Sequence, residues 1–252
     1  MKKYIRTILT AVFIVIAVGC AVWLVRFYMD EAEGAQANER ALTEAETEEP
    51  QEEPGESVEI PIDFASLQQT NPDVYAWIRI EGTNIDYPVV QSGQDNTFYL
   101  DHTWEGAEAA QGAIFTQTYN QKSFEDYNTV IYGHRMSDSN PVMFHDLLNY
   151  MDKEYLHSHQ NVTIYTEQHV FTYKVFAAVV YDDRLLPLSF NFSEESQRQE
   201  FLDSVFASAD LRSQFADNVG VTAQDQILTL STCIAGEDHH RFLVEAVLTD
   251  EK

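Results

Sequence analysis

The sequence predicts a mainly β fold with added helices, set behind an N-terminal apolar helix. Three observations point there. Eight short runs rich in β-branched and aromatic residues fill the chain from about residue 75 onward, with turn cues between them. Only two longer stretches among them carry helical period. Thr7 to Val25 is a run of 19 residues without a charge. Many short strands divided by turns fit a barrel or a sandwich.

The apolar run comes first. A helix over 7–25 spans about 28 Å at 1.5 Å per residue, close to the hydrocarbon thickness of a bilayer. Lys2, Lys3 and Arg6 precede it and an acidic stretch follows. The positive-inside rule then places residues 1–29 as a cytoplasmic tip and single-pass membrane anchor, with everything after Arg26 outside. Trp23, Phe27 and Tyr28 fall near the outer interface. Ala17-Val18-Gly19-Cys20 faintly resembles a lipoprotein cleavage box, but the usual Leu is missing and the apolar run continues to Val25. The run therefore reads as an uncleaved anchor with Cys20 inside the bilayer. Residues 30–59 hold 12 acids against Arg40 alone, with Pro50 and Pro54 among them. Such a segment lacks the apolar surface to offset its ordering entropy, so it is expected to be a disordered acidic linker.

A folded domain is expected over 60–252. Asp63 can cap a short helix over 63–69, ending before Pro72. Strands are expected at 75–80, 85–90, 113–115, 129–132, 162–165, 170–181, 226–230 and 241–248. Helical period appears at 142–150 and at 193–215. In the longer helix Ser193 can cap, Glu194 and Glu195 suit the first turn, and Phe201, Leu202, Val205 and Phe206 form a core-facing stripe.

Composition removes several function classes. The chain has 252 residues, a formal charge of −26 and two cysteines, Cys20 and Cys233. So negative a chain argues against nucleic-acid binding, which needs a basic patch. Two cysteines build neither a disulfide scaffold nor a zinc site. The charge is also segregated, at +4 before residue 30, −11 over 30–59 and −19 beyond.

Cys233 is the one cysteine outside the predicted membrane span. A lone external thiol is buried and inert, paired between chains, or used. Cys233 ends the run Ile227-Leu228-Thr229-Leu230 and faces the polar segment Ala235-Gly236-Glu237-Asp238, an accessible setting. A cysteine nucleophile needs a base and a donor for the developing oxyanion. His134 follows the β-run 129–132 and Gly133, so it too sits at a strand end. His239 and His240 lie near Cys233 in sequence, and no role follows for them. His157 and His159 have no third ligand to make a metal site. Arg241 opens the last strand, and its guanidinium offers fixed, permanently charged donors.

Thr229-Leu230-Ser231-Thr232-Cys233 resembles the TLxTC signature of sortases. Tyr132-Gly133-His134 is similar to their histidine segment and Arg241-Phe242-Leu243-Val244 to their arginine strand. Asn84 to Gln91 and Asp95-Asn96-Thr97-Phe98-Tyr99-Leu100 look like class B sortases in particular, as does the long helix before the Cys233 strand. The resemblance runs from about residue 62 to the C-terminus. It implies a closed β-barrel with an N-terminal helix and a long helix before the cysteine strand. It also implies a cysteine transpeptidase at the outer face of a Gram-positive-type membrane. Its substrates would be secreted proteins with C-terminal sorting signals of the NPxTN, NPxTG or SPxTG sort. Cys233 would attack the Thr carbonyl, His134 would serve as acid and base, and Arg241 would hold the substrate carbonyl or the oxyanion. The resemblance also carries Asn96, Tyr132, Ser231 and Thr232 over as substrate-binding residues. The acceptor would be a cell-wall precursor amine on a lipid II-like stem peptide, or alternatively a pilin Lys. No cofactor or metal is expected. A non-enzymatic surface module would have to treat three motifs as coincidence. A papain-type protease lacks its Cys-Gly-Ser-Cys context here.

Overall fold

The computed structural model describes residues 2–46 and 59–252. Helix α1 (Lys2–Ala45) is continuous for 44 residues. Its N-terminal part includes an exposed stretch long and apolar enough to cross a membrane. The helix departs from the disordered linker expected at 30–59, because it continues through 30–45 and lies on the domain. Ala37, Ala41 and Ala45 are buried there, and Trp104 Nε1 donates to the Ala37 carbonyl at 2.7 Å. The cause is local. Residues 31–45 are mostly good helix formers, and Gly34, Ala37, Ala41 and Ala45 recur every three or four residues on one face. Small side chains on that face let the backbone approach closely. The rest of the expected linker, 47–58, lies outside the described residues.

Helix α2 (Phe64–Thr70) is capped by Asp63, whose carboxylate accepts from Ser66 N. The strands are β1 (Val74–Arg79), β2 (Asp86–Val90), β3 (Ile114–Thr116), β4 (Asn128–Tyr132), β5 (Asn161–Tyr165), β6 (Val170–Asp182), β7 (Gln214–Phe215), β8 (Ile227–Ile234) and β9 (Glu237–Glu251). They pair in the order β5-β1-β2-β3-β4-β8-β9-β6, and β5 also pairs with β6. That last pairing closes an eight-stranded barrel and decides between barrel and sandwich. The short β7 adds to β6 alone. Most neighbours are antiparallel, but β2–β3 and β4–β8 are parallel.

Period-2 alternation sorts the side chains into layers. One set, including Leu228, Leu230, Phe242 and Val244, fills the barrel interior. The alternate set of β4, β8, β9 and β6 packs outward under α4 (Leu186–Ser189) and α5 (Glu195–Phe206). Phe201 anchors that layer edge-on to Phe190 and Phe192. Its burial is worth about 2–3 kcal/mol. The outer face of β1, β2 and β3 is covered by α1 and α2.

Four further sequence expectations need correction. The helix placed at 193–215 ends at Phe206, and 214–215 form β7. Asp210 and Arg212 pair in the intervening turn, and Ser208 bonds Ser213. Ser193 does not cap α5; its hydroxyl donates to Asn191, and Glu194 takes the cap position. The helical stretch at 142–150 is a 3-10 segment over His145–Met151, followed by α3 (Lys153–Ser158). The polar segment Ala235-Gly236-Glu237-Asp238 after Cys233 is a tight reversal, not an open loop, since β8 ends at Ile234 and β9 begins at Glu237. Gly236 has φ +77°, which that reversal requires.

One buried group in the outer layer is chemically unusual. Glu245 on β9 is fully buried, and Thr229 Oγ1 donates to its Oε2 at 2.7 Å. Loss of hydration pushes its carboxyl up to about 8, with the Thr229 bond opposing. The folded chain therefore holds a proton at neutral pH that the unfolded chain releases. Stability from this group is complete below the unfolded value and is lost as pH rises toward 8. The deficit at pH 7 is about 3 kcal/mol. Glu245→Gln should melt higher than the parent at pH 7–8 and no higher at pH 4, as thermal unfolding across that range checks.

Candidate active site

The site is assembled by strand pairing. In the parallel β4–β8 ladder Tyr132 lies opposite Ser231, and Gly133 N donates to the Ser231 carbonyl at 3.2 Å. In the antiparallel β8–β9 ladder Cys233 lies opposite Arg241. His134, Cys233 and Arg241 therefore share the same end of three adjacent strands. They line one cleft of about 220 Å³ together with Tyr132, Ser231, Thr232, Leu100, Phe115, Gln117 and the segment Asp183-Arg184-Leu185.

Gly133 sits in a crowded passage. A Cβ there would come within 2.5 Å of Ile114 Cδ1 and 2.7 Å of Phe144 Cδ2, so packing demands glycine. Thr232 Oγ1 donates to the Gly133 carbonyl at 2.8 Å. That bond ties the residue before Cys233 to the residue before His134. The His134 carbonyl accepts from Phe144 N at 2.9 Å, and its ring Nε2 lies 2.7 Å from the Leu100 carbonyl. A carbonyl only accepts, so Nε2 carries a proton and Nδ1 is the basic nitrogen of the neutral ring.

The Cys233 thiol is exposed. The Arg241 guanidinium donates from one terminal nitrogen to the carbonyls of Asp238, at 3.1 Å, and His240, at 2.8 Å. Its other N–H groups have no acceptor among the described residues and remain available to a bound carbonyl. Tyr132 stacks on Phe115 with ring centroids 5.5 Å apart, and its hydroxyl is buried without a partner among the described residues. Burial raises its phenol above the usual range, so it stays neutral. Arg184 at the rim is held by Asp182 through two hydrogen bonds of 2.7 and 2.5 Å. The arrangement offers an exposed thiol, a proton carrier and a fixed cation around one small cleft, the set that acyl transfer needs.

Six of the seven predicted site residues thus lie together. Thr232 is buried with its hydroxyl committed to Gly133, so it positions the strand ends and has no free donor for a ligand. Asn96 lies outside the cleft lining. Its Oδ1 accepts from Thr118 N at 2.8 Å and Oγ1 at 3.0 Å, and its carbonyl accepts from Gln117, which does line the cleft. His239 and His240 are on the exposed β9 end, near Asp183 and Glu237 respectively. Leu100 and the 183–185 rim were missed by site reasoning. Their only sequence signals were Leu100 closing the 95–100 motif and the charge triplet Asp182-Asp183-Arg184 after a long strand. Among the described residues no three His, Cys, Asp or Glu side chains are grouped to hold a metal ion.

Comparison with known proteins decides the family. A sortase-domain family model matches residues 78–249. Sortase B of Listeria monocytogenes is 33% identical over 183 residues, covering 73% of this chain and 72% of that protein. The chain belongs to the sortase family, as a class B member. A crystal structure of sortase B from B. anthracis in complex with AAEK1 superposes with TM-score 0.73 at 30% identity, covering 88% of this chain and 99% of that one. A Staphylococcus aureus sortase B–substrate complex superposes with TM-score 0.63 at 29% identity, covering 74% and 84%. This class B sortase is a cysteine transpeptidase that acts on sorting signals.

The Thr232 bond is directly testable. Thr232→Val keeps the shape but leaves the Gly133 carbonyl without its donor, at a cost of about 1–2 kcal/mol. Melting temperature and turnover should both fall, and Thr232→Ser should restore both. Parental turnover in Thr232→Val would contradict the assignment.

Proposed function

We propose that this class B sortase cleaves a C-terminal sorting signal of the NPxTN, NPxTG or SPxTG type after Thr and transfers the Thr acyl group to a cell-wall precursor amine. The Cys233 thiol gives its proton to His134 Nδ1, and its sulfur, as thiolate, adds to the Thr carbonyl carbon. The Arg241 guanidinium takes up the developing oxyanion. The intermediate collapses, the peptide C–N bond breaks, and His134 gives its proton to the departing amine. A thioester to Cys233 remains. An incoming amine then adds to it and yields its proton to His134, and Cys233 leaves as thiolate. The thioester keeps the acyl group reactive toward an amine until the acceptor arrives. Tyr132 and Ser231 line the cleft that receives the signal, and Asn96 braces its wall through Thr118 and Gln117.

The observation that carries this reading is the placement of Cys233 and Arg241 as direct cross-strand partners, with His134 at the end of the strand beside them. Residues 7–25 serve as a single-pass anchor with the N-terminus cytoplasmic and the barrel outside. The apolar, exposed first part of α1 supports that reading.

Full-length protein in detergent, given quenched NPQTN and SPxTG peptides, should cleave at least one of them. Cys233→Ala and His134→Ala should each lose about 10³-fold or more of that rate. Equal cleavage by Cys233→Ala would overturn the proposal. Competing triglycine, diaminopimelate stem-peptide and pilin-Lys acceptors then identify the amine; exclusive use of the last would favour a pilin-polymerising enzyme.

A further inference from the structure

We infer that the buried face of the docked half of α1, formed by Gly34, Ala37, Asn38 and Ala41, positions His134, so that this face is a positioning element as well as part of a tether. The inference rests on the proposed acid–base role of His134. Two paths of contacts join the helix to that residue.

The first path runs through the segment 98–112. Trp104 is buried against α1, and its indole N–H donates to the Ala37 carbonyl at 2.7 Å. The adjacent Glu105 receives two hydrogen bonds from Arg40, at 2.7 and 2.5 Å. The other end of the same segment presents the Leu100 carbonyl to His134 Nε2. That carbonyl is fixed from behind. Gly112 has φ +60°, and a Cβ there would lie 2.7 Å from the Leu100 oxygen and 2.5 Å from the Tyr99 oxygen. Gly34 of α1 packs directly on the Gln111 side chain, one residue before Gly112. The helix thus closes the back of the loop whose front orients the imidazole.

The second path runs through 143–144. Tyr87 Oη accepts from Met143 N at 2.9 Å, and Asn38 of α1 lines the same small cavity as Tyr87 and Met143. Phe144 N, the next donor along, holds the His134 carbonyl at 2.9 Å. Ring orientation and backbone position of His134 therefore both trace back to one helix face. Nε2–H on Leu100 is also what leaves Nδ1 as the proton carrier, so a shift of the Leu100 carbonyl changes the protonation chemistry and not merely the packing.

The test uses full-length protein in detergent micelles. Ala37→Asp/Ala41→Asp places two unpaired carboxylates where the helix is buried, which forces the face off the domain. Leu42→Asp, on the exposed side of the same helix, is the control. The double variant should lose at least tenfold in kcat with KM within twofold, and its pH–rate profile should shift. The barrel should keep its cooperative melt, and Leu42→Asp should match the parent throughout. Parental kcat and an unshifted pH profile in the double variant would overturn the inference. So would a change in KM alone, or a loss of kcat that only tracks loss of the barrel's melt. His134→Ala assayed alongside separates the two levels: if it retains activity, the acid–base reading fails irrespective of the helix.

Discussion

The parallel pairing of β4 with β8 is the constraint on which the rest depends. Residues 128–132 and 227–231 run side by side in one direction, so both strands end at the same rim. A parallel neighbour cannot be joined by a tight turn, and here nearly a hundred residues separate the two. The intervening chain supplies β5, β6, α3, α4 and α5, which close the barrel and cover its outer face. The thiol and the imidazole are therefore held side by side by a pairing between distant parts of the chain. The third group comes cheaply by comparison, because β8 and β9 are joined by a tight reversal at Ala235-Gly236 that sets Arg241 across from Cys233.

Two small features convert strand register into side-chain geometry. Gly133 passes between Ile114 and Phe144 where no other residue fits, and Thr232 clips its carbonyl from the next strand. Tolerances at a reacting centre are a fraction of an ångström, and a rigid ladder meets them better than loops do. The loops instead shape the cleft walls. Leu100 and the 183–185 segment arrive from distant parts of the chain, each held by its own local bonds, such as the Asp182–Arg184 pair.

Much of this was legible in sequence because it is local. Strand runs, the Asp63 cap and the three motifs around His134, Cys233 and Arg241 are read from neighbouring residues. What escaped depends on contacts between distant residues. Closure of β5 onto β6 separates barrel from sandwich, and no periodicity encodes it. The docking of residues 34–45 was hidden by charge. Composition reported an acidic segment, whereas the decisive pattern was four small residues on one helix face, of which Ala37 meets Trp104 and Gly34 meets Gln111. The end of α5 at Phe206 is set by hydrogen bonds among Ser208, Asp210, Arg212 and Ser213, which suit a turn as well as they suit a helix surface. Thr232 comes with the motif that ends at Cys233, whereas its hydrogen bond to the Gly133 carbonyl joins strands about a hundred residues apart and has no local sequence signal.

The central claim is that register places one reactive thiol where it takes up an acyl group. Intact-mass analysis of full-length protein, quenched soon after mixing with a sorting peptide and no acceptor amine, tests it most directly. A mass increase equal to the peptide through its Thr, mapped to Cys233 and discharged by added amine, is the predicted result. Cleavage of the peptide without any adduct, or with the adduct on another residue, would contradict it.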